Sequence, residues 1–259
     1  MKKSRQVSAA ELFAFGLVLV AVTYFAARSL YLPPAITLAE FGNAGLNESK
    51  SLRQQYGPYR YSRGIEEWAI RDHFKDRREG VFADVGAADY QFQSNTFYLE
   101  QHLGWSGVAI DAQVEYGPGY AAHRPRTKFV SVFVSDAGDG RVQFFVPTTR
   151  VLTASSDETF ANKQSDKVER REIPTSTLNA VLDAAGINRL DFVSMDIELS
   201  EPAALAGFDI DRFKPSLVCI EAHPEVRQRI LDYFTLHGYT VIGKYLRVDQ
   251  LNLYFQPAS

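Results

Sequence analysis

The sequence predicts an α/β fold, a mainly parallel sheet of about seven strands that ends in a C-terminal antiparallel hairpin and carries helices on both faces. Three observations lead there. Short apolar runs alternate with helix-length segments from Val81 to His237. Several of those runs end in a carboxylate, at Asp84, Asp111, Asp196 and Glu221. The tail, YTVIGKY followed by LNLYFQP, is a pair of apolar runs around a polar turn, which reads as a hairpin.

The elements follow in order. Ile65–Phe74 has Ile65, Trp68, Ala69 and Phe74 at helical spacing, suited to covering a sheet. Val81–Val85 is the first strand, and Ser94–Leu103 is a helix with Ser94 as N-cap. Gly107–Asp111 is the second strand, Glu115–Ala122 a short helix, Lys128–Ser135 the third strand, and Val142–Val146 a hairpin arm. Thr148–Arg171 is polar, with mixed charges and no periodicity; a segment of that length is functional or mobile. Thr175–Ala185 is a helix, Phe192–Asp196 the fourth strand, Pro202–Phe208 a short helix and Leu217–Glu221 the fifth strand. Glu225–His237 carries Ile230, Leu231 and Phe234 on one face and stops at Gly238.

The N-terminus is organised differently. Residues 1–8 form a basic flank with Lys2, Lys3 and Arg5. Residues 9–32 contain the uncharged run Leu12–Ala27, and Leu12–Leu32 spans roughly 20 residues, about the length of a membrane-crossing helix. A single-pass transmembrane anchor is expected, rather than a cleaved signal peptide, because no clean cleavage site followed by a domain start is present. The positive-inside rule puts the N-terminus in the cytoplasm and the domain on the far, periplasmic or lumenal, side. Pro33 and Pro34 end that helix, and residues 33–64, rich in Tyr and Arg, read as a linker. The domain proper is 65–259.

Composition excludes some functions. A formal net charge of −3 leaves no basic excess to neutralise phosphates, so no nucleic-acid partner is expected. The single cysteine, Cys219, excludes an intramolecular disulfide and any cysteine-based zinc site; within an apolar run it reads as a buried thiol.

Val81–Asp111 carries the clearest chemical signal. It is a strand–turn–helix–strand unit with a carboxylate at each strand tip, where ligands bind in open parallel sheets. Gly86 lets the backbone approach a ligand, and Asp111 can accept hydrogen bonds from two ribose hydroxyls, which suits a nucleoside.

Three blocks in order resemble the FkbM family of S-adenosylmethionine-dependent methyltransferases. They are DVGA…SNTFYLEQHLGWSGVAID, then LDFVSMDIELSEPAALAGFD, then PSLVCIEAH. The resemblance implies a Rossmann-like methyltransferase fold and S-adenosyl-L-methionine as cofactor. It implies that Asp84, Gly86 and Ala87 line the methionine portion, that Asp111 takes the ribose, and that Ser135 and Asp136 lie near adenine. It puts Asp196, Glu198 and Glu201, with Glu221 and His223, at the transferred methyl or the acceptor. A base such as His223 would relieve a hydroxyl acceptor of its proton. Catalytic roles are therefore expected of His223, Glu198 and Asp196.

Other readings of these residues stay open. Strand-tip aspartates also cap turns, Asp136 sits beside Gly138 and Gly140, and His223 precedes Pro224 and can start a helix. The acidic cluster can pair with Arg and Lys or hold a hard metal, though no metal is expected. The chain also departs from the family pattern. Ala88 stands where the family has Asn, Tyr90, Gln91 and Phe92 put bulk near the glycine turn, and Leu199 replaces a glycine. Leucine does not adopt a positive φ cheaply.

Two functional expectations follow. The first is a membrane-anchored methyltransferase acting on a hydroxyl of a glycan, lipid or metabolite. The second is a catalytically degenerate methyltransferase fold serving as an accessory or structural subunit of an integral-membrane protein complex, for example a respiratory or photosynthetic one.

Overall fold

Five residues from Val81 to Val85 form the central strand β1, and their alternation divides the molecule into two faces. Ala83 and Val85 point into one apolar cluster, whereas Phe82 points into the other. The same alternation holds in β2 (Ser106–Asp111), β7 (Phe192–Met195) and β8 (Leu217–Glu221), as expected of strands buried on both sides. The computed structural model describes residues 38–258, with side chains from Gly45 onward, and a compact unit begins at Ala44. The transmembrane expectation at 9–32 lies outside the described residues, among which no helix is long and apolar enough to cross a membrane.

The main sheet has the order β3-β2-β1-β7-β8-β10-β9, where β3 is Thr127–Ser131, β9 is Tyr239–Val241 and β10 is Asn252–Pro257. Every pairing from β3 to β8 is parallel, and β10 is antiparallel to both of its neighbours. This is a Rossmann-like, mainly parallel sheet, with the C-terminal hairpin as expected. The order steps outward from β1 in one direction and then in the other, so the β1/β7 boundary is the switch point where a cleft opens at the carboxyl ends.

Helices α1 (Leu38–Tyr56), α2 (Glu66–Phe74) and α3 (Phe97–Leu103) cover one face through Leu52, Tyr56, Trp68, Ile70, Leu99 and Leu103. Residues 33–64, read from sequence as linker, thus include a helix whose C-terminal half packs on the domain. The opposite face is covered by α6 (Leu178–Ala185), α7 (Glu201–Ala206), α8 (Ile210–Phe213) and α9 (Arg227–Leu236). Cys219 is a buried free thiol on the α1–α3 face. On the α3 side, the fully buried Arg124 guanidinium pairs with Glu100 at 2.5 Å and ties α3 to the turn between α4 (Gly117–His123) and β3.

The third predicted strand, Lys128–Ser135, divides in two. The Val132 N–H donates to the Asp111 carbonyl, ending the main ladder, and the chain continues as β4 (Phe133–Val134) in a second sheet. That sheet has the order β4-β6-β5, with β5 Arg141–Pro147 and β6 Val168–Ser176. The polar stretch Thr148–Arg171 is therefore structured. It holds a 3-10 turn at Val151–Thr153, helix α5 (Glu158–Gln164) and the start of β6.

Candidate functional site

A narrow cleft, with a cavity volume of about 50 Å³ and a mouth open to solvent, lies outside the carboxyl ends of β1, β2 and β7. Gly86, Ala88, Asp111, Gln113, Asp196 and Glu198 supply its polar rim, and Ile110, Val132, Phe133, Val134, Phe144 and Leu152 its apolar wall. A second, wider cleft adjoins it and shares Leu152, Asp196 and Glu198; Arg63, Gln93, Asn95, Arg150 and Leu251 line its outer part.

The loop after β1 is built around Gly86, with φ +80. A Cβ there would overlap the carbonyl oxygen of Asp196, so glycine is required by the close approach of the β1 and β7 tips. Ala88 follows at φ 48, also left-handed, and its N–H donates to Asp111 Oδ2 at 2.9 Å. Asp111 Oδ1 accepts from the Gln113 N–H at 2.8 Å. Each oxygen keeps lone-pair capacity, and burial raises this carboxyl to about 6.

The bulky insert does not fill the cleft. Tyr90 stacks on His123 with centroids 4.5 Å apart, Phe92 is exposed, and Asp89 Oδ1 accepts from the N–H groups of both Gln91 and Phe92. Leu199 does adopt a positive φ, 78, but its side chain packs on the core and lines neither cleft.

At the tips of β7 and β8 four acidic side chains and one histidine converge. His223 Nε2 lies 3.2 Å from Glu198 Oε2 and 3.2 Å from Glu221 Oε2. Glu201 Oε1 accepts from the Ile197 N–H at 3.0 Å, while its Oε2 is buried without a partner. Desolvation and neighbouring carboxylates raise Glu198 to about 7, and desolvation raises Glu201 to about 7. Asp196 lines both clefts and is exposed to them, with the Glu198 and Glu221 carboxylates as neighbours. The Glu221 carboxylate, 3.2 Å from the ring nitrogen, is the largest cause raising His223, which reaches about 9. An imidazole held there is protonated at neutral pH, so the ordinary value near 6.5 expected from sequence does not apply.

The segment across the cleft mouth is tied to this cluster. Ser155 Oγ donates to the Glu198 carbonyl at 2.6 Å, and the Phe160 ring meets His223 edge-on at 5.4 Å. Glu198 itself has φ 52, a left-handed geometry that this hydrogen bond helps to hold.

The residues singled out from sequence separate into three groups. Gly86, Asp111, Asp196 and Glu198 line the cleft together, and His223 joins them through Glu198. Asp84 has the parity of Phe82, which turns its carboxylate beneath α3, where it accepts from Thr96 Oγ1 at 2.7 Å. Ala87 is buried under the loop, its carbonyl accepting from the Tyr120 hydroxyl at 3.2 Å. Ser135 and Asp136 bond to each other at 3.0 Å, and the Ser135 carbonyl abuts Gly207. Neither lines the cleft. Sequence reasoning passed over Gln113, Phe133, Phe144 and Leu152. Gln113, two residues beyond a strand-tip aspartate, had a positional signal; the others are apolar residues with none.

The family model described as "Methyltransferase FkbM domain" matches residues 84–241, and the chain belongs to that family. Among solved structures, the chain is similar to a precorrin-6y C5,15-methyltransferase from Geobacter metallireducens, with 11% identity, 68% of this chain and 70% of that chain covered, and a TM-score of 0.40. It is similar also to the Burkholderia thailandensis 1,6-didemethyltoxoflavin-N1-methyltransferase with bound S-adenosylhomocysteine, with 12% identity, 100% and 94% covered, and a TM-score of 0.35. A methyltransferase from Geobacter sulfurreducens gives 10% identity, 92% and 97% covered, and a TM-score of 0.39. No curated protein matches the chain.

Proposed function

We propose that this chain is an S-adenosylmethionine-dependent O-methyltransferase that binds its cofactor in the Asp111 cleft and its acceptor in the wider one. The observation that carries the reading is the junction of the two clefts at Asp196 and Glu198. The residues fit the cofactor. Asp111 offers carboxylate oxygens to ribose hydroxyls, the walls of Phe133, Val134 and Phe144 suit a flat base, and the Gly86–Ala88 backbone would border the methionine portion. When bound, the cofactor supplies an electrophilic methyl group on a sulfonium.

The chain's own residues then orient the acceptor and take up its proton. Glu198 stands where the clefts meet and titrates to about 7, so it is the group poised to receive the proton that an acceptor hydroxyl gives up as its oxygen is methylated. His223, already protonated, holds Glu198 in place from 3.2 Å; the base expected at His223 moves to its carboxylate partner. Arg63, Gln93 and Asn95 favour a polar acceptor such as a glycan, lipid headgroup or metabolite.

Calorimetric titration with S-adenosylmethionine or S-adenosylhomocysteine tests the reading. Saturable one-to-one binding is expected, with about tenfold weaker affinity in Asp111→Asn. Heat no greater than dilution at ligand concentrations of about 1 mM would remove the cofactor from this cleft.

The second reading, an accessory subunit of an integral-membrane complex without turnover, is favoured by the strained Ala88 and Leu199 backbones in place of the family's Asn and Gly. Its mark would be stable co-purification with a partner in mild detergent together with silence in the titration. Anchoring through Leu12–Leu32, with the domain on the far side, belongs to either reading and is tested by a topology reporter fused after Ser259.

A further inference from the structure

We infer that Glu198, Glu221 and His223 together form a binding site for one divalent cation with the preferences of Mn2+, because their ligating atoms converge on a single point beside the cleft. The inference concerns ion binding and stands apart from the methyl-transfer reading.

One oxygen from each glutamate and one ring nitrogen all lie within 4.8 Å of one another. Ligands adjacent on an octahedron stand ~3 Å apart when metal–oxygen bonds are about 2.1 Å. The two contacts of 3.2 Å from His223 Nε2 to Glu198 Oε2 and Glu221 Oε2 have that spacing.

Hydrogen bonding alone does not account for the arrangement. A ring nitrogen carries at most one hydrogen, and here it faces two carboxylate oxygens at equal distance. Glu221 Oε2 meets His223 Nε2 at 3.2 Å without hydrogen-bond geometry and has no other partner, although its side chain is only 4% exposed. Glu201 Oε2, likewise buried and unpartnered, adds acidic charge nearby. Natural interiors rarely leave buried carboxylate oxygens bare, and a bound ion is one explanation. No lysine or arginine enters an ion pair with these three groups among the described residues.

The donor set selects the cation. Two carboxylates suit Mg2+, Ca2+ and Mn2+, and an imidazole nitrogen moves the preference toward Mn2+ and the later first-row metals. A solvent path exists, because Glu198 and Asp196 line the wide cleft. A cation here would stand beside the acceptor's approach and, as a Lewis acid, would acidify a bound hydroxyl.

The probe is Mn2+ added to the full chain stripped with EDTA, read by the fall of free-Mn2+ electron paramagnetic resonance signal. One saturable site tighter than about 1 mM is expected. Glu221→Gln is close to isosteric and relieves like-charge crowding, so the fold is retained while affinity falls by at least about tenfold, as does that of His223→Gln. Glu172→Gln, on the exposed hairpin, leaves binding unchanged. Absence of a saturable site, or equal affinity in wild type, Glu221→Gln and His223→Gln, overturns the inference. Because no methyl donor enters the measurement, that failure is distinct from failure of the proposed function.

Discussion

Two buried acidic centres sit on this domain and are solved in opposite ways. Beneath α1 and α2, Asp72 accepts from Lys75 Nζ at 2.9 Å, Tyr245 hydroxyl at 2.8 Å, Tyr56 hydroxyl at 3.2 Å, and Lys244. Burial opposes its ionisation, but Lys244, Lys75 and Tyr245 outweigh that and hold the carboxyl below its ordinary value. Next to it, Arg71 clamps Asp76 with two hydrogen bonds and lies 3.9 Å from the Tyr98 ring centre. At the β7 and β8 tips, by contrast, Glu198 and Glu201 are raised, and oxygens of Glu201 and Glu221 have no hydrogen-bond partner. In the first, the Asp72 carboxylate is fully partnered and serves stability, although the neighbouring Glu67 Oε1, 3.5 Å from Arg71, has no hydrogen-bond partner. The second keeps unsatisfied acceptors beside a cleft, the pattern of a site whose chemistry costs the fold something.

The strongest way to break this contrast is to empty each centre in turn. Asp72→Ala should cost about 2–3 kcal/mol in urea unfolding, because it strands two ammonium groups and two hydroxyls; the partial exposure of Lys75 and Lys244 keeps the figure at the low end. Glu221→Gln at pH 8 should cost nothing or stabilise by up to about 1 kcal/mol, since a neutral amide relieves the crowding. Equal losses in the two variants would erase the distinction.

A smaller effect sharpens it through pH. In the fold, Glu198 and Glu201 bind protons more tightly than their ordinary 4.5, at about 7, and His223 more tightly than 6.5, at about 9. Groups raised in this way bind more protons folded than unfolded, so stability falls as pH rises from about 4.5 to 9. Asp72, lowered below 3.8, works in the opposite sense and loses its contribution only as pH falls below that value. With EDTA present, the melting temperature at pH 9 should lie about 5 °C below that at pH 5.5, and the slope should flatten in Glu198→Gln. A flat wild-type profile would contradict the raised values.

The smallest expected effect is at the loop. Ala88→Gly at φ 48 should raise stability by about 0.5 kcal/mol, the strain relieved slightly exceeding the entropy a glycine adds to the unfolded chain. Leu199→Gly should change less, since packing on the core is lost as strain is relieved. Thermal unfolding of both variants reads this directly.

Legibility in the sequence followed burial. β1 and β8 have the bounds expected, Val81–Val85 and Leu217–Glu221, because strands covered on both faces are continuous apolar runs that stop at an acid. β6, VERREIPTS, was hidden. It lies in an exposed three-stranded sheet where neither face is wholly apolar, so alternation is weak. Helix α1 was hidden for a related reason, having few apolar anchors beyond Leu52 and Tyr56. In the cleft, Gly86, Asp111, Asp196 and Glu198 carried local signals, whereas Phe133, Phe144 and Leu152 come from separate segments and look like any other apolar residues.

The sequence by itself determined the parallel sheet, the reversed C-terminal strand and the family, since strand periodicity and motif spacing are local properties of the chain. The tertiary structure alone decided the state of the site. Pairing of β7 with β8, Ser194 opposite Cys219 and Met195 opposite Ile220, brings Glu198 beside Glu221 and His223 across more than twenty residues of chain. The Glu221 and Glu198 carboxylates beside it turn the expected base, His223, into a cation, while burial makes Glu198 the group that titrates near neutrality. Charge state depends on neighbours and on access to water, and both exist only once the strands have met.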